Sequence, residues 1–127
     1  MYGLERLLAD LRALGHDPRE LLAPDGTRFA LLSPFNVECG RFAGRVIDLA
    51  LQATPDFPMS VAAAIHVRAD PQLYRVGDNV TNVRNITVSA LGPKWCYWSQ
   101  NFGWGGGIER SARRLMSQIN GIFDRAA

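Results

Sequence analysis

This chain of 127 residues has little of what metal-binding or nucleic-acid-binding proteins usually need. It contains two cysteines and two histidines, and its net charge is only +2. The cysteines and histidines are far apart in sequence and no Cys-x-x-Cys pair occurs, which argues against a zinc site, so we predict neither metal nor cofactor. The basic residues are dispersed rather than clustered, so we expect no nucleic-acid partner.

Long apolar runs are also missing. No stretch approaches the roughly 18 consecutive apolar residues that a membrane-spanning helix requires, so we expect no membrane partner. Glu5, Arg6 and Asp10 interrupt the first apolar residues, which is not the pattern of a secretory signal. We therefore predict a cytoplasmic protein with two free thiols, Cys39 and Cys96. The length and the 47% hydrophobic content predict a single folded domain over residues 1–127.

Apolar periodicity predicts helices at both ends of the chain with strands between them. Leucines recur at three- and four-residue steps over residues 4–14, and apolar residues form one face over residues 108–123. Between these helices, β-branched or alternating segments bounded by turn residues indicate strands at 27–32, 45–52, 62–68 and, as a shorter element, 86–90. We predict an α+β domain in which the helices pack on one face or end of an antiparallel β-meander.

The segment Trp-Cys-Tyr-Trp-Ser at residues 95–99 is the most informative part of the sequence. It places one thiol among large aromatic residues, and Trp104 and three glycines at 105–107 follow it. A cysteine held in a rigid aromatic loop beside a mobile glycine segment is suited to thiol chemistry, for which the thiolate is the reactive form. A buried cysteine is equally well known as a small apolar filler. The sequence leaves both interpretations of Cys96 open.

Four features together resemble the ubiquitin-conjugating (E2) enzymes, and most of all the prokaryotic E2-like families of bacterial ubiquitin-like conjugation operons. An amphipathic helix precedes a β-meander. Phe57-Pro58 follows the strand at 45–52 and is similar to the aromatic–proline corner of that family. Trp104 stands eight positions after Cys96, the interval typical of the active cysteine and its tryptophan. An apolar helix begins a few residues later.

The resemblance implies a UBC-like fold in which a loop carries the cysteine. It also implies a transferase that accepts a ubiquitin-like protein from an E1-like activating enzyme as a thioester on Cys96 and passes it to an amine of a protein acceptor. Two family features are absent: no His-Pro-Asn precedes the cysteine, and Val61-Ala62 replaces a proline pair. The nearest asparagines, Asn85 and Asn101, are therefore candidates for stabilising the oxyanion. Trp104 is the candidate support for the cysteine loop.

Two other functions remain open. The first is a catalytically inactive E2-like or RWD-like scaffold that binds a protein partner through its sheet or helices, with Cys96 buried. The second is a hydrolase in which His66 activates Cys96, although no third residue that would orient the histidine is evident. Accessibility of the Cys96 thiol distinguishes the scaffold from both enzymes.

Overall fold

A computed structural model describes residues 1–105, 107 and 109–126 of the chain. Two helices cover one face of a six-stranded antiparallel sheet whose strand order is β1-β2-β3-β4-β6-β5. The helices are α1 (Gly3–Ala13) and α2 (Ala112–Arg125). The strands are β1 (Arg19–Leu22), β2 (Arg28–Asn36), β3 (Val46–Gln52), β4 (Ala64–Arg68), β5 (Asn85–Val88) and β6 (Cys96–Ser99). The predicted α+β architecture is confirmed.

Six of the eight elements were predicted, and the two that were not are both strands. The segments predicted at 27–32, 45–52, 62–68 and 86–90 correspond to β2, β3, β4 and β5. Strands β1 and β6 were missed. The prediction that Cys96 lies in a loop is wrong, because Cys96 begins β6, which is inserted between β4 and β5. Aromatic residues favour strands, and Cys-Tyr-Trp-Ser pairs on both sides.

The boundaries of the helices coincide with local sequence signals. α1 is followed by Gly15 at φ +94°, a conformation that glycine adopts without strain. α2 begins after Ser111, whose hydroxyl accepts a hydrogen bond from the Arg114 backbone N–H at 3.1 Å and so caps the helix. The predicted start of α2, residue 108, lies outside the described residues. Neither helix in the described part of the chain is long and apolar enough to cross a membrane.

The main core lies between the helices and the sheet. Leu7 and Leu11 of α1 and Ile119 and Phe123 of α2 are at most 1% exposed and pack against the inward residues of the central strands. The opposite face of the sheet carries a smaller cluster of Ala23, Phe29, Ala50 and Trp95. This second cluster explains why the central strands are buried on both faces rather than alternating between buried and exposed residues.

The turn at residues 37–45 fits closely against the last turns of α2. Gly40 has φ +79°, and a Cβ atom at this position would lie 2.0 Å from the carbonyl oxygen of Phe123. The Cys39 thiol beside it donates to the carbonyl oxygen of Asn120 at 3.5 Å. Gly40 therefore meets two requirements at once, a left-handed backbone and the close approach of a helix.

We expect Gly40→Ala to destabilise the protein far more than Gly44→Ala. Gly44 has a similar φ of +90° but open space around it. Alanine at either position should cost about 1–2 kcal/mol of backbone strain, and at Gly40 the clash with α2 should add at least about 2 kcal/mol. Urea unfolding of the two variants measures the difference. Equal losses of unfolding free energy would show that the turn does not depend on its contact with α2.

Candidate functional site

Strand β6 holds the Cys96 side chain on the helix-covered side of the sheet. Cys96 lies directly opposite Val67 of β4 and Val88 of β5. Directly opposed residues of antiparallel strands point to the same face, and Val67 belongs to the main core. Cys96 is accordingly only 4% exposed. The thiol is therefore part of the core rather than of a surface loop.

The segment at residues 73–78 covers this thiol. The Cys96 thiol donates to the carbonyl oxygen of Tyr74 at 3.5 Å. The segment is tied to β5 by the Gly77 N–H, which donates to the Ile86 carbonyl oxygen at 2.9 Å. Burial raises the pKa of the Cys96 thiol, and the charge of Asp78 raises it further. At neutral pH the sulfur is therefore protonated and not nucleophilic.

The two candidate asparagines do not approach Cys96. Asn85 begins β5 and lies opposite Ser99. It is three positions from Val88, the neighbour of Cys96, so it points to the other face of the sheet. The side-chain oxygen of Asn101 accepts a hydrogen bond from the Gly103 backbone N–H at 2.9 Å, beyond the far end of β6. Neither amide is positioned to donate to an oxyanion formed at Cys96.

Trp104 links the chain after β6 to the Phe57-Pro58 turn after β3. Its indole N–H donates to the carbonyl oxygen of Pro58 at 2.8 Å, and its half-buried ring packs against the main core. This bond joins two of the residues that carry the family resemblance, Trp104 and Pro58. The role of Trp104 in this structure is to fix the path of the chain. Its hydrogen bond to Pro58 was not predicted from the sequence.

His66 lies on the face of the sheet opposite Cys96, so the two residues cannot act as a catalytic pair. It stands opposite Tyr97 in the ladder between β4 and β6. The rings of Phe29 and Tyr97 flank it at centroid distances of 4.8 and 5.3 Å. Its Nδ1 is 2.8 Å from the hydroxyl oxygen of Ser89. Burial lowers the pKa of His66 to about 4, so the imidazole is neutral and structural.

A polar cluster on this same face was not predicted from the sequence. Arg68 donates through Nε to a carboxylate oxygen of Asp48 at 2.7 Å, and its guanidinium lies 4.6 Å above the centroid of the Trp95 ring. The cluster borders a cavity of about 610 Å³. The only sequence signal was one charged residue in each strand, Asp48 in β3 and Arg68 in β4, and the sequence does not show that these strands pair in this register.

Within residues 1–105, 107 and 109–126, no three His, Cys, Asp or Glu side chains are grouped so that they could hold a metal ion. No protein-family model, curated protein or solved structure matches the chain. The likeness to ubiquitin-conjugating enzymes therefore rests on the residues quoted above and stays a prediction.

We expect His66 to make the protein less stable in mild acid. Its pKa is about 4 in the folded state and about 6.5 in the unfolded chain. Between these values the unfolded state binds more protons, so the contribution is complete above pH 6.5 and is lost as the pH falls toward 4. The loss of unfolding free energy should reach about 3 kcal/mol. Chemical denaturation at several pH values measures it.

The control for this experiment is the other histidine. His66→Gln should remove most of the slope between pH 6.5 and 4, and His16→Gln is the matched substitution at the histidine outside this cluster. Carboxylates that titrate in the same range affect all three proteins alike, so they cancel in the difference. A slope that survives in His66→Gln would mean that His66 is not the group responsible.

Proposed function

We propose that this chain is a protein-binding domain of the E2-like or RWD-like type. It would engage a component of a ubiquitin-like conjugation pathway without forming a thioester. The observation that carries the proposal is the position of Cys96, whose thiol is buried in a central strand beneath the segment at 73–78. Cys96 then serves as a small apolar core residue with one hydrogen bond, the common role of a buried free cysteine.

Thioester exchange makes demands that this arrangement does not meet. The sulfur must reach the carbonyl carbon of the incoming thioester, and the chain of Tyr74 stands in that path. The reaction proceeds through the thiolate, while burial and Asp78 raise the pKa of Cys96. The tetrahedral intermediate needs a hydrogen-bond donor, and Asn85 and Asn101 are directed elsewhere.

An exposed apolar corner offers a surface for a protein partner. Tyr2 is 61% exposed and Met59 is 48% exposed. The Gly3 N–H donates to the Phe57 carbonyl oxygen at 3.0 Å, which brings the chain at Tyr2 alongside the chain that leads to Met59. Exposed apolar side chains that come together on a soluble domain are typical of protein interaction sites. The family resemblance implies contact with the E1-like activating enzyme near α1, at the same end of the domain.

The transferase predicted from the sequence is the competing proposal. It requires the segment at 73–78 to leave the thiol, which breaks the bonds from Cys96 to Tyr74 and from Gly77 to Ile86. The strand itself would stay paired. The two proposals therefore differ in one measurable property, the reactivity of the Cys96 thiol in the folded protein.

We expect the Cys96 thiol to be protected in the folded state. In the Cys39→Ala variant, where Cys96 is the sole cysteine, labelling by iodoacetamide at neutral pH should be at least about 100-fold slower than in denaturant, since only opened molecules react. The Cys96→Ala variant, which keeps the half-buried Cys39, provides the reference rate. Equal rates for the folded and denatured Cys39→Ala protein would remove the basis of the proposal.

A loading assay tests the function itself. The chain is mixed with its activating enzyme, its ubiquitin-like protein and ATP, and adducts are resolved with and without dithiothreitol. We expect no thiol-sensitive adduct, and we expect Cys96→Ala to bind the same pathway components with an unchanged Kd in calorimetry. An adduct that forms with wild type and Cys39→Ala but not with Cys96→Ala would establish the transferase instead.

A further inference from the structure

A cavity lies on the other face of the sheet from the Cys96 thiol, where β3 begins and β4 ends. Its volume of about 610 Å³ falls within the range of about 300–1,000 Å³ that small-molecule sites occupy. Its lining combines aliphatic groups with four charged side chains. The residues are Val46, Ile47, Asp48, Arg68, Ala69, Asp70, Gln72, Pro93 and Lys94.

Arg68 is held in one orientation in this lining. Its Nε donates to Asp48 at 2.7 Å, and its guanidinium lies 4.6 Å above the Trp95 ring. The second carboxylate oxygen of Asp48 accepts a hydrogen bond from the Ser33 hydroxyl, so both oxygens of Asp48 are engaged. Within the described residues, the two terminal nitrogens of Arg68 make no hydrogen bond. They form a fixed fork of N–H donors, the geometry that matches a carboxylate.

The facing wall is fixed by Gln72. Its side-chain N–H group donates to the Lys94 carbonyl oxygen at 2.6 Å, and its side-chain oxygen accepts from the Ala69 backbone N–H at 3.2 Å. This bridge ties the chain after β4 to the chain before β6 and so keeps Lys94 at the cavity. Val46, which is 56% exposed, supplies an apolar surface at the rim. Asp70 also lines the cavity and opposes a bound anion.

We propose that this cavity binds an aliphatic carboxylate. The carboxylate pairs with the terminal nitrogens of Arg68, Lys94 adds a second positive charge, and the alkyl part lies against Val46. A free short-chain acid and the C-terminus of a peptide ending in an aliphatic residue share this chemistry. The site uses neither Cys96 nor the exposed apolar corner at Tyr2 and Met59. A test of carboxylate binding is therefore independent of the proposed function.

Titration of the ¹⁵N-labelled full chain tests the proposal. The probes are acetyl-Ala-Ala-Val with a free C-terminus, the same peptide as its C-terminal amide, butyrate and inorganic phosphate. We expect the free-acid peptide or butyrate to shift the amide signals of Ala69 and Lys94 and the indole signal of Trp95, with the amide peptide inactive. Binding of the peptide acid but not butyrate assigns a chain terminus, and binding of both assigns the carboxylate alone. Equal effects of acid and amide, no effect of either acid, or phosphate binding as well as the carboxylates would overturn the proposal.

Substitutions assign the contact to particular side chains. Arg68→Lys keeps the charge but removes the fork, so the Kd should rise about tenfold, while the matched surface change Arg84→Lys should leave it unchanged. Arg68→Lys also alters the contacts of Arg68 with Asp48 and Trp95, which affect folding. Substitutions of the exposed residues Lys94 and Asp70 therefore provide a second measure of binding that does not depend on folding. Lys94→Gln should raise the Kd about threefold, and Asp70→Asn should lower it about threefold. Unchanged affinity in Lys94→Gln and Asp70→Asn would exclude this cavity as the site.

Discussion

The insertion of β6 between β4 and β5 is the constraint on which the rest of the structure depends. The strand is hydrogen-bonded on both sides, with Trp98 opposite Ile65 on one neighbour and Ile86 on the other. A shift of one residue in this register would turn every side chain of β6 to the opposite face. Trp98 would then leave the core, where it is 1% exposed and packs 5.6 Å from the ring of Phe123. The aromatic residues therefore fix the register, and the register fixes where Cys96 points.

That register divides the chemistry of the chain between the two faces of the sheet. The helix-covered face is mostly apolar, and it contains the Cys96 thiol. The other face carries the polar groups of the central strands, His66 and the Asp48–Arg68 pair, beside Trp95. Each of these polar groups has a partner, as burial requires. Side chains along β4 and β6 alternate between the two faces of the sheet, so Cys96 lies on one face and His66 on the other. The thiol therefore has no base beside it and the histidine has no thiol, which is why a site assembled around Cys96 does not form.

Local patterns were enough to predict most of the elements but not their pairing. Leucine periodicity predicts α1, and alternation or β-branched runs predict β2 to β5. β1 has four residues and no fully buried side chain, so it carries no periodic signal. β6 has apolar residues on both of its faces and therefore shows no alternation. The interval from Cys96 to Trp104 does not distinguish a loop from a strand. The Arg68 cluster needs residues from β2, β3, β4 and the chain before β6, and only tertiary pairing brings those together.

The chain between β4 and β5 links the cavity to the segment that covers the Cys96 thiol. Ala69, Asp70 and Gln72 line the cavity described above, and residues 73–78 cover the Cys96 thiol. Gln72 stands at the junction, bonded to the backbone of Ala69 and of Lys94. A ligand that binds only when this wall is in place stabilises it by mass action. The wall runs directly into the cover, with no helix or strand between them. The proposed binding at the cavity and the protection of Cys96 therefore depend on one short segment of backbone, residues 69–78.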